Sequence, residues 1–415
     1  MKYGCIGERL GHSFSAEIHG LIADYEYRLR EVSREELGDF ATAKDFKGIN
    51  VTIPYKELIM PYLDGGIDDF ARSVGAVNTV VNRNGRLYGY NTDFYGMCRL
   101  FEHAGVVAEG RKCAILGTGG TAKTAHAVLK ALGAREIILV SRQAKGSSVT
   151  YEELCREHTD TEIIVNTTPV GMYPAIDGCP VDITYFKQLK GVIDAVYNPL
   201  RTALVLEAQA RGIPAEGGLF MLVAQAVRAS ELFLGVEYPE GLTESVYEKI
   251  LKDKENIVLI GMPSCGKTTV GGVLAERLDK ELFDTDRLIT EKSGIEISDI
   301  IKGDGIDRFR DIEAQTIAEI SAKNRAVIAT GGGAILRYEN IFNLKKNGKI
   351  YFIDRPPELL TATADRPLSC TPEALMQRYE ERYPLYCRYA DVTVSSAGTV
   401  NETAEQIYRD FKPER

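Results

Sequence analysis

Along most of this chain, short runs of consecutive apolar residues alternate with stretches whose apolar positions recur every three or four residues. That alternation is the signature of buried strands followed by amphipathic helices. In the first hundred residues Tyr3–Ile6, Gly48–Ile53 and Val77–Val81 read as strands, with helical segments between them. Lys112–Leu116 then runs into Gly117-Thr118-Gly119-Gly120, a helix-compatible stretch and a second apolar run at Ile137–Val140, which makes a βαβ unit. Strands at Glu162–Val165 and Gly191–Asp194 extend it, the helical stretch Phe220–Leu234 closes this half, and the charged segment Glu248–Glu255 is the expected linker. At Asn256 the pattern restarts with Ile257–Ile260, a strand feeding directly into Gly261. Its later strands, Ala326–Thr330 and Lys349–Ile353, are continuous apolar runs, as strands of a parallel sheet covered on both faces must be. The prediction is an α/β protein without internal repeats, since the two halves share a glycine-loop theme at different spacing.

Composition agrees. At 415 residues the chain exceeds a single core, given about 150 residues per domain. A net charge of −9 without Lys/Arg clusters argues against nucleic-acid binding, which replaces condensed counterions with basic side chains. The longest apolar stretches, such as Leu219–Val227, fall well short of the roughly 20 residues that span a bilayer, and the start lacks an apolar signal core. Eight cysteines without a CxxC pair read as reduced thiols, which points to the cytoplasm. The oligomeric state is not encoded legibly.

In the second half, Gly261-Met262-Pro263-Ser264-Cys265-Gly266-Lys267-Thr268 fits GxxxxGK[ST] between a strand and a helix. Such a loop turns backbone N–H groups toward phosphate, Lys267 reaches the outer phosphates and Thr268 can ligate Mg²⁺. Ser264, Cys265, Gly266, Lys267, Thr268 and Thr269 are therefore the expected ATP-binding set. About one helix later, Asp284 and Asp286 stand two apart and, if extended, project to the same side, toward the phosphates. Asp284-Thr285-Asp286, Phe309-Arg310-Asp311-Ile312-Glu313, Gly331-Gly332-Gly333, Arg366-Pro367-Leu368 and Arg382-Tyr383-Pro384-Leu385-Tyr386 follow in the order seen in shikimate kinases, and residues 256–415 resemble that family. The resemblance implies that Asp284 and Thr268 hold Mg²⁺ and that Asp286 binds shikimate hydroxyls and takes the proton of the attacking one. It also implies that Arg310 and Arg382 grip the carboxylate beside Gly332, and that Arg366 lies on a lid over ATP. Guanidinium forks suit a carboxylate because they are permanently charged and bidentate. One departure is Leu360-Thr361-Ala362-Thr363-Ala364-Asp365, where relatives often carry a second basic residue before RPL.

In the first half, Gly117-Thr118-Gly119-Gly120-Thr121-Ala122 is a dinucleotide-type loop. The next strand ends in Ser141-Arg142, where NAD-selective folds place a carboxylate; an arginine there pairs with a 2′-phosphate and favours NADP(H). His12-Ser13-Phe14-Ser15, Asn50-Val51-Thr52-Ile53-Pro54-Tyr55-Lys56, Gly75-Ala76-Val77-Asn78-Thr79 and Asn91-Thr92-Asp93 resemble, in order and spacing, the substrate lobe of shikimate dehydrogenases. The match continues through Asn166–Met172, Asp194–Pro199 and Gly218–Gln225. It implies that Lys56 and Asp93 form the proton-transfer dyad, that Ser13 and Ser15 bind the substrate carboxylate, and that Thr52, Asn78, Asp93, Gln225 and Tyr197 hold the ring. Ala195 and Gly218 would pass the nicotinamide, with Asp69 near the cofactor. The departure here is Ser15-Ala16-Glu17-Ile18-His19-Gly20, where relatives carry proline after the serine and asparagine after the histidine.

The expected architecture is a substrate lobe over 1–100, completed by helices within 219–250, a Rossmann NADP-binding domain over 101–218, a linker over 248–256 and a P-loop kinase domain of the nucleoside monophosphate kinase type over 256–415. The expected activity is NADPH-dependent reduction of 3-dehydroshikimate followed by ATP-dependent phosphorylation of shikimate. The competing readings are an NAD-linked quinate or shikimate dehydrogenase fused to another hydroxy-acid kinase, and a regulatory protein without turnover.

Overall fold

The computed structural model describes residues 1–10, 14–144, 146–360 and 371–412. The chain divides into two compact units, Met1–Leu251 and Lys252–Arg415.

The first unit opens with a mixed sheet of β1 (Tyr3–Gly7), β2 (Tyr27–Glu31), β3 (Gly48–Val51), β4 (Gly66–Ile67), β5 (Thr79–Arg83) and β6 (Arg86–Tyr90), ordered β2-β1-β3-β5-β6-β4. β1 runs parallel to β2 and β3, whereas β5 is antiparallel to β3 and β6. The β5–β6 hairpin turns on Asn84 (φ 53°) and Gly85 (φ 82°), the residue pair that a tight turn with two left-handed positions selects. Ile6, Ile49, Val51 and Val80 form the buried face.

The second lobe of this unit is a parallel sheet of β7 (Lys112–Leu116), β8 (Glu136–Ser141), β9 (Val149–Thr150), β10 (Ile163–Asn166), β11 (Gly191–Asp194) and β12 (Ala215–Glu216). Its order, β12-β11-β10-β7-β8-β9, reverses direction between β7 and β10, so a crevice opens above their carboxyl ends. The Leu219–Leu234 helix then returns to the first lobe, where Phe233 packs against Gly48. On the way it lies so close to the Thr92–His103 helix that a Cβ on Gly96 would stand 2.7 Å from the Met221 carbonyl oxygen.

The second unit is a parallel sheet of β13 (Asn256–Ile260), β14 (Glu281–Asp284), β15 (Ala326–Ala329), β16 (Gly348–Asp354) and β17 (Val392–Ser395), ordered β14-β15-β13-β16-β17. The central strand, β13, is buried throughout and feeds the glycine loop and the Lys267–Leu278 helix. The charged stretch expected as a linker is helical as far as Lys254, within the Leu242–Lys254 helix. Acidic Glu244 in the first turn and Lys252 and Lys254 in the last suit the helix dipole, and Val246 and Ile250 are buried.

The contact at Gly96 is testable. Gly96→Val should destabilise the first unit by about 1–3 kcal/mol through overpacking, and Gly20→Ala, at a helical position with open space, should stabilise it by about 0.5–1 kcal/mol. Urea midpoints measured on both variants check the pair. Equal midpoints would contradict the close helix approach.

Candidate active sites

In the first unit, the strand end after β3 turns into the short Tyr55–Leu58 helix, with Tyr55 N–H donating to the Thr52 carbonyl at 2.9 Å. This sets Lys56 at the mouth of the sheet. Opposite, Asn91 caps the Thr92–His103 helix by accepting from Phe94 N–H at 3.1 Å, which places Asp93 in its first turn. Lys56 Nζ donates to Asp93 Oδ2 at 2.6 Å, with the two side chains only 22% and 16% exposed.

Thr92 ties this pair to two further residues of the expected set. Asn78 Oδ1 accepts from Thr92 N–H at 2.7 Å, and Thr92 Oγ1 lies 3.4 Å from Gln225 Oε1. The structure thus brings Lys56, Asp93, Asn78 and Gln225 together. Thr52 is anchored by its N–H on the Ile6 carbonyl at 3.0 Å, Ser15 opens the Ser15–Ile22 helix, and Tyr197 rests edge-on against Phe14.

Across the crevice, Gly117 (φ 110°) follows β7, and a Cβ there would meet Thr167 Oγ1 at 2.8 Å. Gly119 and Gly120, followed by Thr121, start the Gly120–Ala131 helix without a side-chain cap, and nothing lies within 4 Å of a Cβ on either glycine. The space beside this helix start suits a phosphate, which a helix N-terminus attracts. Ser141 and Arg142 at the end of β8 line a cavity of about 620 Å³ with Thr118, Gln143 and Ser148. Gly218 is forced by its neighbour, because a Cβ would stand 2.3 Å from the Ala195 carbonyl oxygen.

Asp194, given no role from sequence, fixes that neighbourhood. It accepts from Asn166 Nδ2 at 2.9 Å, Val196 N–H at 2.9 Å and Thr202 Oγ1 at 2.7 Å. Burial nevertheless pushes its carboxyl up to about 6, against those hydrogen bonds. Asp69 begins the Asp69–Val74 helix, whose Phe70 packs on Phe94, one residue beyond Asp93.

In the second unit the loop after β13 takes positive φ at Gly261, Ser264 and Gly266. Lys267 is buried and donates to the Gly261 and Met262 carbonyls, each at 2.9 Å, with Cys265 Sγ at 3.7 Å. Thr268 Oγ1 donates to Asp284 Oδ2. Asp284 ends β14 and caps the following Thr285–Ser293 helix, Oδ1 accepting from Asp286 N–H at 3.0 Å and Arg287 N–H at 3.1 Å. Asp286 therefore sits in a first helical turn, so the extended segment on which the two carboxylates were expected to project to one side is absent. Both still line one cavity of about 870 Å³, with Lys267, Thr269, Arg310 and Arg382.

Gly331-Gly332-Gly333 threads between the charged side chains. A Cβ on Gly331 would meet Asp286 Oδ1 at 2.6 Å, and one on Gly333 would meet Arg310 Nη2 at 2.0 Å. The Gly332 carbonyl accepts from Arg382 Nη1 at 3.0 Å and Tyr386 Oη at 2.5 Å, while Thr285 Oγ1 takes the Gly331 N–H at 2.8 Å. Arg310 Nη1 contacts Glu313 Oε2 at 2.5 Å, and Glu313 is fully buried. Burial raises the Glu313 carboxyl, with Arg310 opposing.

Residues 5–80 match the family described as the shikimate dehydrogenase substrate binding domain, and residues 263–412 match the shikimate kinase family. A shikimate dehydrogenase (NADP(+)) of Clostridium beijerinckii is 39% identical over 262 residues, 59% of this chain and 96% of that protein. The chain belongs to the shikimate dehydrogenase family. Its second unit carries a shikimate kinase domain. Among solved structures, shikimate dehydrogenase 1 of Peptoclostridium difficile matches with a TM-score of 0.55 and 34% identity, covering 60% of this chain and 98% of that one. A shikimate 5-dehydrogenase of Thermus thermophilus, in complex with NADP(H) and shikimate, gives 0.54 and 26%, covering 60% and 99%.

Two of the expected site residues, Ser13 in the dehydrogenase unit and Arg366 in the kinase domain, lie outside the described residues, as do residues 361–365, where the kinase sequence departs from its relatives. At the dehydrogenase departure, Ser15 heads a helix although alanine follows it, and His19 is fully buried, stacked on Tyr27 at 3.8 Å.

Asp194 makes dehydrogenase stability pH-dependent in a defined direction. Its folded pKa, about 6, stands above the ordinary 3.8, so its contribution is full below 3.8 and is lost as pH rises through 6. Relative to Asp194→Asn, the wild-type unit should lose up to about 3 kcal/mol between pH 4 and pH 7. Urea midpoints of both proteins across that range measure it.

Proposed function

We propose that this chain reduces 3-dehydroshikimate to shikimate with NADPH and phosphorylates shikimate with ATP to shikimate 3-phosphate. The observation that carries the reading is the direct 2.6 Å contact of Lys56 with Asp93, in a chain whose second unit sets Asp286 and two arginines around one phosphate-loop cavity.

In the first reaction NADPH supplies the hydride to the ketone carbon. Lys56 as an ammonium donates a proton to the developing alkoxide, and Asp93 holds that ammonium and orients the new hydroxyl. Ser13 and Ser15 take the carboxylate, while Thr52, Asn78, Gln225 and Tyr197 hold the ring. Arg142 would hold the 2′-phosphate, the N–H groups from Gly117 to Thr121 the pyrophosphate, and the closely packed backbones of Ala195 and Gly218 the nicotinamide end.

In the second reaction ATP supplies the phosphoryl group. Asp286 accepts the proton of the attacking hydroxyl, Arg310 and Arg382 hold the carboxylate, and Lys267 leaves its loop carbonyls for the outer phosphates. Thr268 and Asp284 present two hard oxygens side by side, a donor set that fits Mg²⁺, which keeps most of its remaining shell as water and phosphate. Arg366 adds charge from the lid. The free thiols of the described residues support a reducing, cytoplasmic setting.

Supplying 3-dehydroshikimate, NADPH, ATP and Mg²⁺ should yield shikimate 3-phosphate by mass. Lys56→Ala should stop NADPH oxidation and spare phosphorylation of added shikimate; Asp286→Ala should do the reverse. Loss of both activities in either folded variant would contradict two separate sites. Arg142→Ala should cut the preference for NADPH over NADH by about 10- to 100-fold, the value of a charge-assisted hydrogen bond, which steady-state kinetics with each cofactor checks.

A further inference from the structure

Behind the dehydrogenase site, Tyr27, Asn50 and Thr79 form a run of polar groups to which the proposed mechanism gives no role, and it ends on Asn78. Tyr27, on β2, donates its hydroxyl to Asn50 Oδ1 at 2.7 Å. Asn50 Nδ2 donates to Thr79 Oγ1 at 3.1 Å and faces the Asn78 carbonyl at 3.4 Å. Thr79 Oγ1 in turn donates to Asn78 Oδ1 at 3.1 Å, and that oxygen accepts the Thr92 N–H at the start of the helix that carries Asp93.

The direction of this relay is fixed by chemistry. A carbonyl only accepts, so the amide end of Asn50 that faces Asn78 is its NH₂, and its Oδ1 must look to Tyr27 for a proton. Thr79, receiving from Asn50, has its single proton free to pass forward. Tyr27 itself is locked in place: the His19 ring lies 3.8 Å above it with planes 10° apart, and His19 Nδ1 is 2.5 Å from Tyr25 Oη. Burial pushes the His19 imidazole down to about 3, which keeps that ring neutral at ordinary pH.

We propose that Tyr27 is a positioning residue for the reduction, acting through Asn50 and Thr79 to hold the Asn78 amide and the first turn that presents Asp93. Without its hydroxyl, Asn50 Oδ1 loses its 2.7 Å donor and turns toward the His19 ring, which draws Asn50 Nδ2 away from Thr79. Thr79 Oγ1, no longer receiving from Asn50, turns its proton to Thr92 Oγ1 at 3.0 Å, and the Asn78 amide loses one of the donors that set its orientation, at a place where a shift of less than an ångström matters to catalysis.

Tyr27→Phe removes the hydroxyl and keeps the stacked ring. In the full-length chain it should lower kcat for 3-dehydroshikimate reduction by about 5- to 30-fold, with a smaller change in KM. The primary isotope effect with 4-deuterated NADPH should rise as hydride transfer becomes rate-limiting, while phosphorylation of added shikimate is unchanged. Thr79→Val should give a similar loss, and the double variant little more than either, because both cut one relay. The relay is refuted by kcat within about twofold of wild type, by a lower melting temperature with kcat and isotope effect unmoved, or by additive losses in the double variant. The inference rests on the roles given to Lys56 and Asp93, and Lys56→Ala in the same assay separates the two: if it still oxidises NADPH those roles fail, whereas an inactive Lys56→Ala beside an unslowed Tyr27→Phe removes the relay alone.

Discussion

In both units the main chain comes closer to its neighbours than any Cβ would permit, to charged side chains in the kinase domain and to facing backbone in the dehydrogenase, and the geometry of each candidate site follows from that approach. Gly331 and Gly333 lie where a β-carbon would overlap Asp286 and Arg310, so the strand-end loop can press its amides and carbonyls against both. The Gly332 carbonyl thereby becomes an acceptor shared by Arg382 and Tyr386. In the dehydrogenase, Gly96 lets the Leu219–Leu234 helix lie against the helix that carries Asp93, and this delivers Gln225 to Thr92. Gly218 does the same for the backbone beside Ala195. Side chains from segments distant in sequence converge because the main chain has been thinned at those points.

Such close packing leaves charged groups dry, and the two units compensate differently. The kinase domain buries Glu313 against Arg310, so the arginine is held by a partner that cannot swing into solvent, at the expense of a carboxyl lifted by burial. Among the described residues the dehydrogenase gives Asp194 three hydrogen-bond donors and no paired cation, and burial still outweighs them. Lys56 and Asp93 keep about a fifth of their side-chain surface in contact with solvent, which on the proposed reading lets Lys56 recover its proton after each reduction.

What the sequence makes legible divides along a physical line. Phosphate chemistry demands contiguous backbone, so the loops at Gly117 and Gly261 and the Ser141-Arg142 strand end could be read from local pattern. Spacing alone left open whether Asp284 and Asp286 share an extended segment, because the cap that Asp284 supplies to its own successor is a competing local hydrogen bond that spacing does not reveal. The helix through Lys254 was hidden behind its charge, which the buried Val246 and Ile250 outweigh. The partner of Asn50 lay furthest from view: Tyr27 reaches it only because β1 stands between β2 and β3 in the sheet, a fact of topology that no window of residues contains.

On the reading proposed here, one ring acid is held by two unlike sets of groups, and the charge already present in each cleft explains why. The kinase cavity must take the carboxylate beside a triphosphate, so neutral donors would leave two anions repelling each other in a partly dry space; Arg310 and Arg382 offset that repulsion with permanent charge. In the dehydrogenase the cofactor phosphates belong to the glycine loop and Arg142 on the parallel sheet, while the carboxylate belongs to serine hydroxyls of the mixed-sheet lobe. A hydroxyl there binds the acid without setting a second cation against the Lys56 ammonium, which is already paired with Asp93. The same substrate therefore calls for guanidinium in one pocket and hydroxyl in the other, according to what else each pocket has to hold.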